Sequence, residues 1–448
     1  MEKYENMRNP ILPLKHHFPD SEPHVFSDGK LYAFGSYDAY DDIYCSEYLR
    51  VYSTSDMRTW EISDIALTAD DAYWCKDPSV PKEKGLDFSK PSPFLKKMMA
   101  NAPKPDPDRE NEKPKFDDRL MLFAPDAIER DGIFYLYFCL NDQSEGVAVS
   151  DNPMGPYKNP VKLACGGIDP AVFIDDDGQA YYYWGQIWAK GAKLKPNMTE
   201  IDQSTVVENL VTEEKHFFHE GSSMRKRGEL YYMIYSNMER GKPSSIGYAV
   251  SKNPLGPFEY KGIIVDNDGC DPKTWNNHGS IVEFNGQWYV FYHRSSRNSE
   301  YHRRVCVEPI FFNEDGTIQE AVMTSQGAGD PFGPGEIINA WRACGLTGDA
   351  YLMPNDDESD EKLTAIGNGD SCIFRYVKSD VPFTHADICA SGRGGIRIFL
   401  DDSEVGRATL DGSGSTMASL NAESGQHTLK LVFENPDELE LHSITLNI

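Results

Sequence analysis

Five times along its 448 residues the chain repeats one short pattern, a polar–Gly turn followed at once by an aromatic strand. The copies are SDGKLYAFGS (27–36), RDGIFYLYFC (130–139), DDGQAYYYWG (176–185), KRGELYYMIYS (226–236) and FNGQWYVFYHR (284–294). Glycine supplies the positive φ that a tight hairpin turn needs, and a run of Tyr, Phe and Trp suits a strand covered on both faces. Ahead of each turn comes a short apolar strand headed by a polar residue: Asp20 in PDSEPHVF, Asp126 in APDAIE, Asp169 in IDPAVFI, Glu220 in HEGSSM and His278 in NHGSIVEF. Counted back from Gly29, Gly132, Gly178, Gly228 and Gly286, these residues lie 9, 6, 9, 8 and 8 positions earlier.

Glycines 132, 178, 228 and 286 are 46, 50 and 58 residues apart, near the roughly 40–50 residues of a four-stranded propeller blade. The outer-strand string GVAVSDNPMGPY (146–157) also recurs, as GYAVSKNPLGPF (247–258). The expected fold is all-β, a five-bladed β-propeller over residues 9–325 followed by a β-sandwich over 337–448, where the aromatic template gives way to short alternating strands such as GIRIFLDD and HTLKLVFE. The wide gap between Gly29 and Gly132 reads as an insertion at about 66–117, rich in Pro and charge and expected on the surface. A string of immunoglobulin-like sandwiches would give no reason for polar residues to recur in one register. In a propeller the innermost strand of each blade begins at the central channel, so Asp20, Asp126, Asp169, Glu220 and His278 are expected to converge on one polar cavity.

The formal charge of −27 excludes polyanionic partners, which need clustered Lys and Arg, so neither nucleic acid nor an anionic membrane is expected. Nine cysteines without a CxxC pair or zinc spacing read as reduced structural thiols. MEKYENMRNPILPLKHHF lacks the basic flank and apolar core of a signal peptide, and a cytoplasmic location is the expectation. Asp175-Asp176-Asp177-Gly178 lacks the closing Glu of a calcium loop and reads as a hairpin turn.

Carboxylates crowded into one cavity cannot all keep ordinary pKa values. Glycoside hydrolysis needs that condition, one carboxyl holding a proton for the leaving oxygen and another ionised to activate water. PDSEPHVFSDGKLYAFGSYD, IDPAVFIDDDGQAYYYWG and HEGSSMRKRGELYYMIYS resemble the three signature regions of glycoside hydrolase family 43, with the likeness running over about residues 9–325. The resemblance implies a five-bladed propeller and an inverting mechanism. It implies Asp20 as general base, Asp169 as the acid that orients the proton donor, and Glu220 as general acid, with Glu22 the alternative base if the register slips by two.

Substrate contacts are expected from His24, Phe123, Asp126, His278 and Arg294, the arginine because its planar fork suits sugar hydroxyls. Trp184, with Tyr183 and Trp188, reads either as a sugar platform or as blade packing. No cofactor is required for the chemistry; a Ca2+ or other ion near the axis is an option, with His278 as its candidate metal ligand. The inverting arrangement calls for Asp20 and Glu220 carboxyls roughly 6.5–9.5 Å apart. The expected enzyme is an exo-acting β-xylosidase or α-L-arabinofuranosidase acting on xylo- or arabino-oligosaccharides. The alternatives are an endo-arabinanase of the same fold and a noncatalytic sugar-binding propeller. The C-terminal part weakly resembles a family 6 carbohydrate-binding module, and its sparse exposed aromatics favour a packing role.

Overall fold

The computed structural model describes residues 1–77, 79–81, 96, 119–272, 274–355, 359–412 and 414–448. Five antiparallel sheets stand around one axis, each built outward from a short innermost strand: Glu22–Val25, Leu122–Arg130, Ala171–Ile174, Phe218–Arg227 and Ser280–Phe284. These five strands adjoin one another in ring order, and a parallel bridge from Ser21 to Gly279 joins the first blade to the fifth. We call the blades I to V in chain order. The five turn glycines all have positive φ, from 60° at Gly228 to 82° at Gly178, and a side chain there would meet nothing within 4 Å. Glycine is therefore required at these positions by backbone conformation and not by space.

Aromatic strands fill the gaps between blades. Tyr52, Tyr137, Tyr182, Tyr232 and Tyr292, from the second or third strands of the five blades, are all fully buried. Blade I starts earlier than residue 9, because Glu2–Glu5 pairs with Thr59–Ile62 as its outermost strand. The insertion expected on the surface is in part core. Ala66, Leu67, Ala69, Ala72 and Trp74 pack into the cluster between blades I and II, and the Trp74 indole stacks on Phe138 and donates to Ser144 Oγ at 2.9 Å. Five apolar residues spaced one to three apart, at 66, 67, 69, 72 and 74, carry that signal; the Pro and charge content that suggested a loop belongs to 82–95 and 97–117, outside the described residues.

From Ile337 onward the chain forms a separate nine-stranded antiparallel sheet system, centred on the long strands His385–Leu400 and Gly425–Asn447. Its core of Leu, Ile, Val and Phe also takes in Leu14 from the propeller side. Buried Arg304 of blade V is ion-paired with buried Glu361, and Arg8 pairs with Glu336 at 2.9 Å. No helix among the described residues is long and apolar enough to cross a membrane.

Candidate active site

Asp20 and Asp169 each lie two residues ahead of an innermost strand, and both are held at positive φ, 59° and 54°. Left-handed backbone is costly for a non-glycine residue and persists only where the surroundings enforce it. For Asp20 the enforcement is close packing: a side chain on Gly35 would come within 2.4 Å of the Pro19 carbonyl oxygen, and the Asp20 N–H donates to His293 Nδ1 at 3.3 Å. For Asp169 the N–H meets Cys139 Sγ at 3.3 Å.

Asp20 is buried beside the Arg303 guanidinium and further polar groups. Arg303 Nη1 donates to its Oδ1 at 3.0 Å, His278 Nδ1 lies 3.5 Å away, and Ser36 supplies a further hydrogen bond. Burial alone would raise the Asp20 pKa, but these groups, Arg303 first, hold it below the usual carboxylate value. Arg303 is itself clamped by Asp38, which takes Nε at 2.9 Å and Nη2 at 2.8 Å. His293 is kept neutral, burial and Arg303 pushing its pKa to about 3, so its ring orients the Asp20 peptide and adds no charge.

Glu220 and Asp169 form the opposite wall. Glu220 Oε2 accepts from Gln186 Nε2 at 2.8 Å, and the N–H of the next residue, Gly221, donates to Asp169. Asp169 is pushed well above the ordinary carboxylate range by burial, by Glu220 and by Asp20. Asp169 is thereby held toward its protonated form where an isolated carboxyl would be ionised. The ring of His278 separates the two walls. It faces Asp20 on one side, and on the other it approaches Gly221 so closely that a side chain there would lie 2.6 Å from the imidazole.

A second layer lies deeper in the channel. Asp126 sits within its strand, its Oδ1 2.6 Å from His24 Nε2 and its Oδ2 accepting from the Val172 N–H at 2.7 Å. Burial raises its pKa to about 7 despite Arg225. Glu22 accepts from Arg225 Nη2 and, at 2.8 Å, from Ser223 Oγ; this ties it into the wall and away from the Asp20 level. The offsets explain the layering. Asp126 is 6 residues before its turn glycine, Glu22 is 7 and His24 is 5, while the residue of blade II at offset 9 is Phe123 (132 − 9). Phe123 lies at the upper level, its ring 5.9 Å from Tyr44.

Glu22, His24 and Asp126 place ligand atoms within 4.8 Å of one another and form a candidate ion site near the axis. Two carboxylates and an imidazole suit a divalent cation, with the Arg225 guanidinium already beside Glu22. His278, the ligand expected from the sequence, is not in this group and lies against Asp20 instead. Because the cluster is a layer below Asp20 and Glu220, dialysis against EDTA is expected to leave kcat within about twofold. A larger loss restored by Ca2+ would put an ion in the catalytic machinery.

Two expectations are corrected. Arg294 points away from the channel: Nε reaches Cys306 Sγ at 2.9 Å, Nη1 the Ala343 carbonyl at 3.1 Å and Nη2 that of Thr324 at 3.3 Å. Neighbouring residues of a strand face opposite ways, so His293 takes the channel side and Arg294 ties blade V to the C-terminal sheet. The arginine at the pocket is Arg303. Trp184 is not a platform either; it is 4% exposed and stacked on Tyr182, centroids 5.6 Å apart. The sequence reading also missed Tyr44, Gln186, Asp38, His293 and Arg303.

The sequence matches the glycosyl hydrolases family 43 over residues 97–318. It is 32% identical over 383 residues to a xylosidase/arabinosidase of Thermoclostridium stercorarium, covering 75% of this chain and 72% of that protein. Xylosidase/arabinosidase 43A of Humicola insolens is 29% identical over 352 residues, 67% of this chain and 95% of that protein. Among solved structures, a family 43 beta-xylosidase/alpha-arabinofuranosidase from a compost microbial metagenome, in complex with xylotriose, is similar with a TM-score of 0.54 at 28% identity, over 72% of this chain and 99% of that one. An arabinoxylan arabinofuranohydrolase from Bacillus subtilis, in complex with cellotetraose, shares the fold over 98% of this chain and 97% of its own, with a TM-score of 0.53 at 21% identity.

Proposed function

The chain belongs to family 43 of the glycosyl hydrolases, and from that premise we propose that it removes terminal β-D-xylosyl or α-L-arabinofuranosyl residues from xylo- or arabino-oligosaccharides with inversion. One observation carries the reading. Around a single histidine, His278, the channel mouth sets a carboxylate held ionised by an arginine, Asp20, opposite a wall where burial and acidic neighbours hold Asp169 toward its protonated form beside Glu220. These are the two protonation states that inverting hydrolysis needs at once.

In this scheme Asp20 draws a proton from a water on one face of the sugar as that water attacks the anomeric carbon. Glu220, hydrogen-bonded by Gln186, delivers a proton to the glycosidic oxygen on the other face. Asp169 orients Glu220 through the Gly221 peptide, whose N–H donates to it. Arg303 fixes the direction of the Asp20 carboxylate. The xylosidase/arabinosidase activities named for the relatives support the pentose assignment. The C-terminal sheet, bound through Arg304–Glu361 and Arg294, supports the propeller.

Nitrophenyl β-xyloside and nitrophenyl α-arabinofuranoside test the reading, with the anomer of the first-formed sugar followed by NMR. Release of the inverted anomer from at least one is expected. Release of the retained anomer would remove Asp20 as base, and no turnover of either glycoside would leave a sugar-binding propeller.

A further inference from the structure

Beneath the Asp169 turn lies a carboxyl that this scheme does not use. Glu145, on the strand Ser144–Ser150 of blade II, is completely buried. Its Oε2 accepts from the Tyr182 hydroxyl at 2.5 Å and from the Cys165 thiol at 3.4 Å, while its Oε1 has no hydrogen-bond partner. That bare oxygen lies against Gly167, two residues ahead of Asp169. A side chain on Gly167 would begin 2.9 Å from it, and the Gly167 N–H is fixed on the Gln143 carbonyl at 3.0 Å. The turn that carries Asp169 therefore rests on the Glu145 carboxyl.

Such a group is expensive to keep. Ionised, it is a buried charge facing neutral neighbours; protonated, it leaves one polar oxygen unpaired. The groups around it are Cys139 from Ile133–Leu140, Cys165 from Lys158–Gly166, Tyr182 from Ala180–Trp184, the more distant Lys190 from Lys190–Lys193, and Asp169 itself. Burial holds both thiols and the phenol in their neutral forms, and positive charge comes from Lys190, with Lys162 acting on Cys165. Burial raises the Glu145 pKa to about 8, against the hydrogen bonds of Tyr182 and Cys165. An apolar or amide side chain would fill the space at less cost, and residues kept at the expense of stability concentrate where activity needs them.

We propose that Glu145 is a positioning residue for the hydrolytic reaction: as an uncharged acid it seats the Gly167–Asp169 turn, and loss of its proton unseats that turn. Ionisation places a bare charge against the turn and next to the Asp169 carboxyl, whose electrostatics already include Glu145. The alkaline limit of activity is then set at Glu145, a residue that never touches the sugar. This inference rests on the hydrolytic reading above.

Glu145→Gln keeps the shape and removes the titration, whereas Glu145→Ala removes both. The alanine variant is expected to lose about tenfold in kcat at pH 6 through the misplaced turn, and glutamine to restore most of it. In the pH profile of kcat/KM with the better of the two nitrophenyl pentosides, Glu145→Gln should carry the alkaline limb upward by about one pH unit. Thermal unfolding gives a second readout. A carboxyl with a higher pKa folded than unfolded costs stability as pH rises from 4.5 to about 8, so wild type should lose more unfolding temperature across that window than Glu145→Gln. An alkaline limb that stays in place or falls in the glutamine variant, or unfolding curves that run parallel, would overturn the proposal. Should wild type cleave neither pentoside, the hydrolytic reading falls, and the unfolding comparison alone decides whether Glu145 carries its proton into the native state.

Discussion

Glu220→Gln and Asp20→Asn are each expected to lose on the order of 10²–10⁴ in kcat on unactivated xylo- or arabino-oligosaccharides, and to part company when the leaving group improves. A proton donor matters in proportion to the basicity of the departing oxygen. With a dinitrophenyl pentoside the leaving oxygen departs as a stable anion, so Glu220→Gln should recover to within about tenfold of wild type. Asp20→Asn should not, because water must still be activated whatever leaves. The two variants thus exchange ranks between substrates, and that crossing is what global damage to the fold would not produce. Equal losses on both substrates for Glu220→Gln would remove it as the acid. Glu22→Gln gives the control for the base: Glu22 is committed to Arg225 and Ser223, so its loss should lower stability by about 1–3 kcal/mol and leave the order of substrates unchanged.

How much of this could be read in the chain depends on what repeats. The five turn glycines set the blades, and the residues 8 or 9 positions ahead of them, Asp20, Asp169, Glu220 and His278, are those the structure gathers at the mouth. Asp126 stood at offset 6, and that difference of about 10 Å of extended chain already contained its place in the deeper layer. Arg294 shows where the pattern fails. Both faces of Gln287–Ser296 are covered, so the strand has no hydropathy contrast to show which of His293 and Arg294 faces the channel. Tyr44 and Gln186 come from connections between strands, which carry no period, and Arg303 comes from a third strand outside the repeated template. Glu145 has an acidic side chain one residue before a repeated outer-strand string, and nothing local distinguishes it from a solvated surface glutamate.

Arg303→Met should produce the other large effect, and it should appear in stability and activity together. The guanidinium is the shared partner of two buried carboxylates, Asp20 and Asp38; removing it strands both, at a cost of about 3–5 kcal/mol. Activity should fall because Asp20 loses both its direction and its charge. Burial, which Arg303 now outweighs, would then raise the Asp20 pKa, and a base protonated at higher pH moves the acid limb of kcat/KM upward by more than about one unit. Glu145 keeps its Tyr182 and Cys165 partners, so the alkaline limb should move less than the acid one. Arg303→Lys separates charge from geometry, since an ammonium can neutralise one carboxylate but cannot bridge two through a planar fork. It should bring back part of the acid limb and little of kcat. If Arg303→Met instead left the acid limb where it is and lowered only thermal stability, Arg303 would be a strut of blade V, and the ionised state of Asp20 would have to come from its remaining partners, His278 and Ser36 among them.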